Sequence, residues 1–322
     1  MSKTTIVLDS SQIACFEECQ TLQYYQNIKK LQPLAREENE AMNAGTYGHK
    51  LLDIYYRART RGLSLDEAAK QSFSYNPDTD TCECGCSLDS HKYLSQLNLT
   101  ECHRCKSCLN FKAKPFALDS GIRMAVQNRL REYFFTYQSN DFIPLSEQHV
   151  EVGFSEPIYE DSENLFILEG RIDLIASIQG LNCIVDHKFQ SQRYYLYPKT
   201  IQLKNYALIA RVPMVWINYI RLTKSVDKTT LHRVPSTFTM QELGAWKQQL
   251  IGIYFKYKRV MSGSPEGIEH NWVACRGYSK TYDLDKPKWC PYSTLCEEWN
   301  PEMRQRREEQ LFSIKTIEWK PW

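Results

Sequence analysis

Apolar residues recur at helical spacing over 8–30 (LDSSQIACFEECQTLQYYQNIKK), where Ser10 or Ser11 can cap the first turn and glutamates follow in the early turns. A second helical period covers 44–60 (AGTYGHKLLDIYYRART) and sets His49, Asp53 and Tyr56 on one face. Periodicity lapses over 76–113 and returns as a helix over 116–138. The period then shortens to two. HVEVGFSEPI, LFILEGRIDLIASI and NCIVDHKF read as successive strands, rich in Ile, Val and Phe and bounded by turn residues. A helix over 199–211, two strands (MVWINYIRL and TTLHRVPSTF) and a long helix over 240–262 follow, and from 270 onward the chain reads as loop. This order predicts an α/β fold, a mixed central β-sheet flanked by helices. Its expected parts are a helical N-terminal part over 1–75, a Cys-rich insertion over 76–113, a core over 114–264 and a terminal segment over 265–322.

Composition narrows the class. The 322 residues carry a net charge of +2, and no apolar run reaches the length that spans a bilayer. The N-terminus lacks a basic stretch followed by an apolar core, so no secretory signal is expected and the chain is assigned to the cytoplasm, or to a host cytoplasm if phage-encoded. In such a reducing compartment the twelve cysteines read as metal ligands rather than disulfides. Charge is unevenly spread. Residues 141–190 hold ten acidic residues against Arg171 and Lys188, and 191–260 hold twelve Lys and Arg against Asp227 and Glu242. Such a pattern suits a cation site beside a polyanion track, or simply two differently solvated faces.

Candidate chemistry gathers in GRIDLIA, IVDHKF and QLKNY. Side chains two apart on a strand face one way, so Asp186 and Lys188 project together and His187 points to the other face. Glu169, Arg171 and Asp173 share a face of the preceding strand. If the two strands pair, carboxylates and an ammonium converge. Hydrolysis of a phosphodiester needs a cation against the phosphate, an activated water and a stabiliser of developing charge. Asp173 and Asp186 are hard oxygen donors suited to Mg²⁺ or Mn²⁺, and Lys188 can orient the water or neutralise the phosphate. A salt-bridged surface patch is the ordinary alternative.

The ordered set GRIDLIA, IVDHKF and QLKNY resembles the PD-(D/E)XK nuclease superfamily, in its RecB-like branch: an Asp ending one strand, D/E-x-K on the next, then Q-x-x-x-Y on a helix. Asp173, Asp186, Lys188, Gln202 and Tyr206 occupy those positions, and AGTYGHKLL is similar to the G-x-x-x-H element, with Gly45 and His49 in register. The resemblance implies a restriction-endonuclease-like core and a Mg²⁺- or Mn²⁺-dependent DNA nuclease acting on ends or single strands. It further implies that His49 joins Asp173 and Asp186 as a metal ligand. A non-catalytic, metal-stapled module that binds DNA or a partner is the competing class, and an RNA-directed zinc-binding protein is a third.

AddB-type and CRISPR-associated RecB-like exonucleases of this branch carry a [4Fe–4S] cluster, with one Cys from an N-terminal helix and three from the tail. The N-terminal element here resembles theirs with Cys19 at the ligand position, and KWCPYSTLC supplies Cys290 and Cys296. The third tail cysteine departs from the pattern, since a fourteen-residue loop separates Cys275 from Cys290. Cys15 is a spare thiol one turn before Cys19, and zinc is the competing occupant. Separately, Cys82, Cys84, Cys86, Cys102, Cys105 and Cys108 form a dense block expected to hold structural Zn²⁺, with His91 and His103 as substitutes. RYYLYPK interleaves cations with aromatics as a single-strand track does, whereas Trp216 and Trp246 read as core and Cys183 as a small buried hydrophobe. No G-x-x-x-x-G-K-[ST] element is present, so a coupled helicase or recombination protein is expected on another chain.

Overall fold

The computed structural model describes residues 3–34, 40–80, 91–94, 99–102, 118–190, 199–222, 230–262, 268, 290–296, 298 and 300–314. The chain opens on strand β1 (Thr4–Leu8), which the sequence reading missed, and turns at Asp9 into helix α1 (Ser10–Glu18). Asp9, not Ser10 or Ser11, is the cap. Its Oδ1 accepts the Gln12 N–H at 2.8 Å while the Gln12 side chain accepts the Asp9 N–H at 2.9 Å. Glu17 and Glu18 fall at the far end of the helix rather than in its early turns. The expected single helix over 8–30 also breaks at Cys19, whose backbone is extended; helix α2 (Gln20–Gln23), one wide turn (Tyr24–Ile28) and strand β2 (Leu31–Pro33) follow.

Helices α3 (Glu40–Thr60), α4 (Leu65–Phe73) and α5 (Pro77–Asp80) come next. Strands β3 (His91–Leu94) and β4 (Leu99–Cys102) then pair antiparallel inside the stretch expected to lack regular structure. From helix α6 (Ser120–Thr136) to residue 262 the order follows the sequence pattern, apart from the two-residue strand β5 (Ile143–Pro144); beyond it, two helices and a strand stand in the stretch read as loop. Strands β6 (Val150–Glu160), β7 (Asn164–Ile178) and β8 (Leu181–Gln190) precede helix α7 (Ile201–Ala210). Strands β9 (Met214–Arg221) and β10 (Leu231–Thr237) lead to helix α8 (Met240–Met261). Helices α9 (Ser293–Cys296) and α10 (Pro301–Leu311) and strand β11 (Phe312–Ile314) end the described chain.

Seven strands form one mixed sheet in the order β1-β7-β8-β9-β10, with β5 and β6 on the other edge of β7. Strand β7 changes partner along its length. It pairs parallel with β1 up to Leu168 and antiparallel with β8 from Leu174. Between these runs, residues 169–173 have no strand partner on that edge among the described residues, and β8 swings across to lie parallel with β9. A notch results in the middle of the sheet.

Two cores cover the faces. One packs Ile13, Phe16, Leu203, Tyr206 and Trp246 of α1, α7 and α8 against Phe166, Leu168, Ile172 and Ile184. The other packs Leu51, Tyr55, Tyr56 and Leu130 of α3 and α6 against Leu174, Ala176, Cys183 and Val185, with Trp216 partly buried at its border. A third, smaller cluster joins the chain's two ends. Tyr25, Leu31, Tyr292, Leu295 and Phe312 pack together with Cys290 and Cys296 against them, Tyr292 donates its hydroxyl to the Leu31 carbonyl at 2.6 Å, and β11 pairs with β2. Cys82, Cys84, Cys86, Cys105, Cys108 and Cys275 lie outside the described residues, as does most of RYYLYPK. Among the described residues no helix is long and apolar enough to cross a membrane.

Candidate active site

The notch is lined by the first residues beyond the last paired rung of β7 and β8. That rung is Leu174 with Val185, so Asp173 and Asp186 stand just past it. Along β8, Ile184 faces the α7 side and Cys183 and Val185 face the α3 side. Period two therefore sends Asp186 and Lys188 toward α7 and His187 toward α3. The contacts agree. Lys188 Nζ lies 2.9 Å from Asp186 Oδ2 and donates to Oδ1 at 3.0 Å and to Gln202 Oε1 at 2.9 Å. Gln202 Nε2 in turn donates to the Tyr206 hydroxyl at 2.8 Å, across one turn of α7. Thr200 caps that helix by accepting the Leu203 N–H, which fixes where Gln202 starts.

Glycine helps to place Tyr206. Phe154 stands opposite Gly170, and a Cβ on Gly170 would fall 2.7 Å from the Phe154 ring. The ring occupies that space and meets Tyr206 edge to face at 6.1 Å. On the opposite side of the sheet, His187 stacks on Tyr56 at 5.8 Å and accepts a hydrogen bond from Asn218 Nδ2 at Nδ1. Its backbone N–H reaches back across the notch to Asp173 Oδ2 at 2.7 Å.

Helix α3 brings a donor from the far end of the chain. A Cβ at Gly48 would lie 2.4 Å from the Phe189 ring, whereas Gly45 has open space. The close approach of α3 to β8 thus depends on Gly48, not on the Gly45 of the expected element. It lowers His49 onto the notch, with Nδ1 3.5 Å from Asp173 Oδ2 and 4.0 Å from Glu151 Oε1. His49, Glu151 and Asp173 each offer a donor atom, all within 4.8 Å of one another.

Glu151 is the residue that sequence reasoning missed. It lies between Val150, paired with Leu174, and Val152, paired with Ile172, so its cross-strand neighbour is Asp173. Its backbone is left-handed (φ 53°), a conformation that costs a non-glycine residue about 1 kcal/mol. At the same place the burial pattern changes phase: Ile172 and Val152 enter the α7 core and Leu174 and Val150 the α3 core. The one sequence signal was an acidic residue in HVEVGF set to pair with GRIDLIA.

Burial dominates the electrostatics. It raises the Asp186 carboxyl, with Asp173 adding to the shift and Lys188 opposing it. At Asp173 burial also works upward, but His49, His187 and Lys188 outweigh it and hold that carboxyl below its ordinary range. Glu151 is pushed up to about 8 by burial, against the opposing Arg171 guanidinium and with Asp173 and Asp53 adding to the rise. Burial disfavours the Lys188 ammonium, yet Asp186 and Asp173 more than offset it, so Lys188 stays protonated well into the alkaline range. His187 is driven down to about 3 by burial and is neutral.

Of the expected site residues, the fold gathers His49, Asp173, Asp186, Lys188, Gln202 and Tyr206 around one notch and adds Glu151. Cys19 precedes α2, and Cys290 and Cys296 pack against the cluster that joins the chain ends. A hard divalent cation fits the notch. Its donors are one imidazole and carboxylate oxygens, and the buried Asp186 Oδ2 receives no well-directed hydrogen bond despite its contact with Lys188.

A search of curated proteins returns no match. Among solved structures, the protein SSO0001 is 14% identical over 42% of this chain, with a TM-score of 0.27, and the match spans 60% of its own length. A candidate exonuclease from Eubacterium rectale is 12% identical, with a TM-score of 0.37, and the match covers 80% of this chain and 82% of that one. The sequence model of the PD-(D/E)XK nuclease superfamily matches residues 10–297. That span includes β1's neighbour α1, the notch and the terminal cysteines, and the chain belongs to the PD-(D/E)XK nuclease superfamily.

Proposed function

We propose that this chain is a Mg²⁺- or Mn²⁺-dependent deoxyribonuclease that hydrolyses phosphodiester bonds at DNA ends or in single strands. His49, Asp173 and Asp186 hold the cation. The observation that carries the reading is the chain of contacts Asp186–Lys188–Gln202–Tyr206 ending in the same notch as His49 and Asp173. A bound cation would offset phosphate charge and lower the pKa of the attacking water.

The protein's own groups do the rest. Lys188 is held protonated, so it serves as a fixed positive charge and hydrogen-bond donor to the phosphate oxygens rather than as a general base. Gln202 fixes the Lys188 ammonium, and Tyr206 fixes Gln202. Asp186 keeps Lys188 in place while offering an oxygen to the cation. The His187 N–H orients Asp173.

Digestion of end-labelled single- and double-stranded DNA with Mg²⁺, Mn²⁺ or EDTA tests this. Cleavage should require the cation and vanish in Asp186→Ala. Cleavage in EDTA, or an unchanged rate in Asp186→Ala, contradicts it.

We place the protein in the RecB-like branch and assign a [4Fe–4S] cluster to Cys19, Cys275, Cys290 and Cys296. The reading draws support from the packing of the Cys290–Cys296 segment onto the N-terminal segment after Cys19. Anaerobically purified protein should be brown and absorb in the visible blue; a colourless protein with zinc at these positions contradicts the cluster. Cys82, Cys84, Cys86, Cys102, Cys105 and Cys108 are the proposed structural zinc ligands of the 76–113 insertion. A helicase or recombination protein on another chain is the proposed partner.

A further inference from the structure

We infer that Glu151 is a fourth ligand of the cation held by His49, Asp173 and Asp186, and that Arg57 is the positioning residue that holds it there. The inference rests on the cation reading above and adds two residues that the nuclease motifs do not contain.

Glu151 and Asp173 lie between the rungs Val150–Leu174 and Val152–Ile172 of the β6–β7 ladder, with carboxylate oxygens within 4.8 Å of one another. Like charges in that position repel, and strands avoid the arrangement unless something between them compensates. Both residues are mostly buried, with side-chain exposures of 10% and 12%, so water does little to screen them. Arg171 Nε lies 2.8 Å from Glu151 Oε2. The other oxygen, Oε1, turns toward His49 Nδ1 at 4.0 Å, too far for a hydrogen bond and close enough for both atoms to bind one ion. A further acceptor faces the notch from its far wall, where Lys188 Nζ lies 2.9 Å from Asp186 Oδ2 without a well-directed hydrogen bond to it.

The backbone around Glu151 is held from outside the site. Arg57 Nη2 donates to the Val150 carbonyl at 2.8 Å and Nη1 to the Glu147 carbonyl at 3.2 Å. Asp53, one turn earlier on α3, pairs with Arg57 Nε and fixes the guanidinium. Arg57 thereby pins the carbonyl just before the left-handed residue and a second one at Glu147. It stands on the same helix as His49, so one rigid element sets both the imidazole and the carboxylate. Arg57 touches neither Glu151's carboxylate nor any donor atom of the site, so its role is to orient.

The test compares Glu151→Gln, Arg57→Gln and Asp186→Asn with wild type by Mn²⁺ calorimetry and by melting in EDTA and in Mn²⁺. Glutamine keeps the shape and removes the charge. Glu151→Gln should bind Mn²⁺ at least about tenfold more weakly and gain less in melting temperature from added Mn²⁺ than wild type does. Arg57→Gln should weaken Mn²⁺ by about tenfold while saturating Mn²⁺ restores the cleavage rate, as displacement of a ligand predicts and general destabilisation does not. Glu151→Gly, which also relieves the left-handed backbone, replaces the glutamine variant if that does not fold, with the same loss of Mn²⁺ expected. Wild-type Mn²⁺ affinity in Glu151→Gln together with lost binding in Asp186→Asn overturns the inference and leaves the cation reading standing. Wild-type affinity in both overturns the two together.

Discussion

Replacement of Lys188 by methionine separates stability from chemistry at the notch. Methionine keeps most of the volume and deletes the ammonium. What remains is Asp186, whose side chain is 2% exposed, without the cation that contacts both of its oxygens at 2.9 and 3.0 Å. Gln202 Oε1 loses its donor as well. Breaking a fully buried pair typically costs about 3–5 kcal/mol. Lys188 itself is 31% exposed, which places this pair near the lower end, at about 3 kcal/mol. A Mn²⁺ ion bound beside Asp186 stands in for the lost charge, so most of the deficit should disappear at saturating Mn²⁺. Urea titrations followed by tryptophan fluorescence, in EDTA and in Mn²⁺, measure both quantities. Cleavage on the same preparation should fall by about 10²–10³, the size of effect found when one preorganised donor is removed from a charge-stabilising site. A loss below about 1 kcal/mol in EDTA, or cleavage within tenfold of wild type, would refute the place given to Lys188.

Two further outcomes follow from residues behind the site. Asn205 is fully buried on α7, donates to Ser10 Oγ at 3.0 Å and accepts from Trp246 Nε1 at 2.8 Å, so it ties α7 to α1 and α8. Asn205→Leu strands the Trp246 donor and should cost about 2–3 kcal/mol in chemical denaturation, with reduced cleavage because Gln202 and Tyr206 ride on the same helix. The His187 ring titrates near 3 when folded against an ordinary 6.5, so between those values the unfolded chain binds more protons. Its contribution to stability is therefore complete above pH 6.5 and is lost as pH falls. Between pH 7.5 and 5.5 in EDTA, wild type should lose about 1.4 kcal/mol more than His187→Phe. Parallel pH slopes for the two proteins would show that the imidazole is not buried in its neutral form.

Much of the site was legible because its rules are local. Period two put Asp186 and Lys188 on one side of β8 and His187 on the other, and one helical turn put Gln202 within reach of Tyr206. Trp246 and Cys183 were readable as core from their apolar surroundings. What escaped depends on distant pairing. Strand β1 has meaning only beside β7, more than 150 residues on, so TTIVL alone carried too little signal. Glu151 became a site residue only through its register against Asp173 and a left-handed backbone that no pattern of side chains announces. Gly48 mattered more than Gly45 because Phe189 lies beneath it, a contact between a helix and a strand of different regions. The break at Cys19 was hidden because the apolar spacing of α1 runs on through α2 at nearly the same period.

On the proposed reading, phosphodiester cleavage requires a divalent cation at the notch. The most direct test joins Mn²⁺ binding and DNA digestion in a single preparation of wild type and Asp173→Asn. Asp173 Oδ2 meets both His49 and the His187 N–H, so the amide keeps the shape of the site and removes the charge the cation needs. Asp173→Asn should retain its circular dichroism and lose Mn²⁺ binding and cleavage together. Cleavage at the wild-type rate by Asp173→Asn, or by wild type stripped of metal, would contradict it.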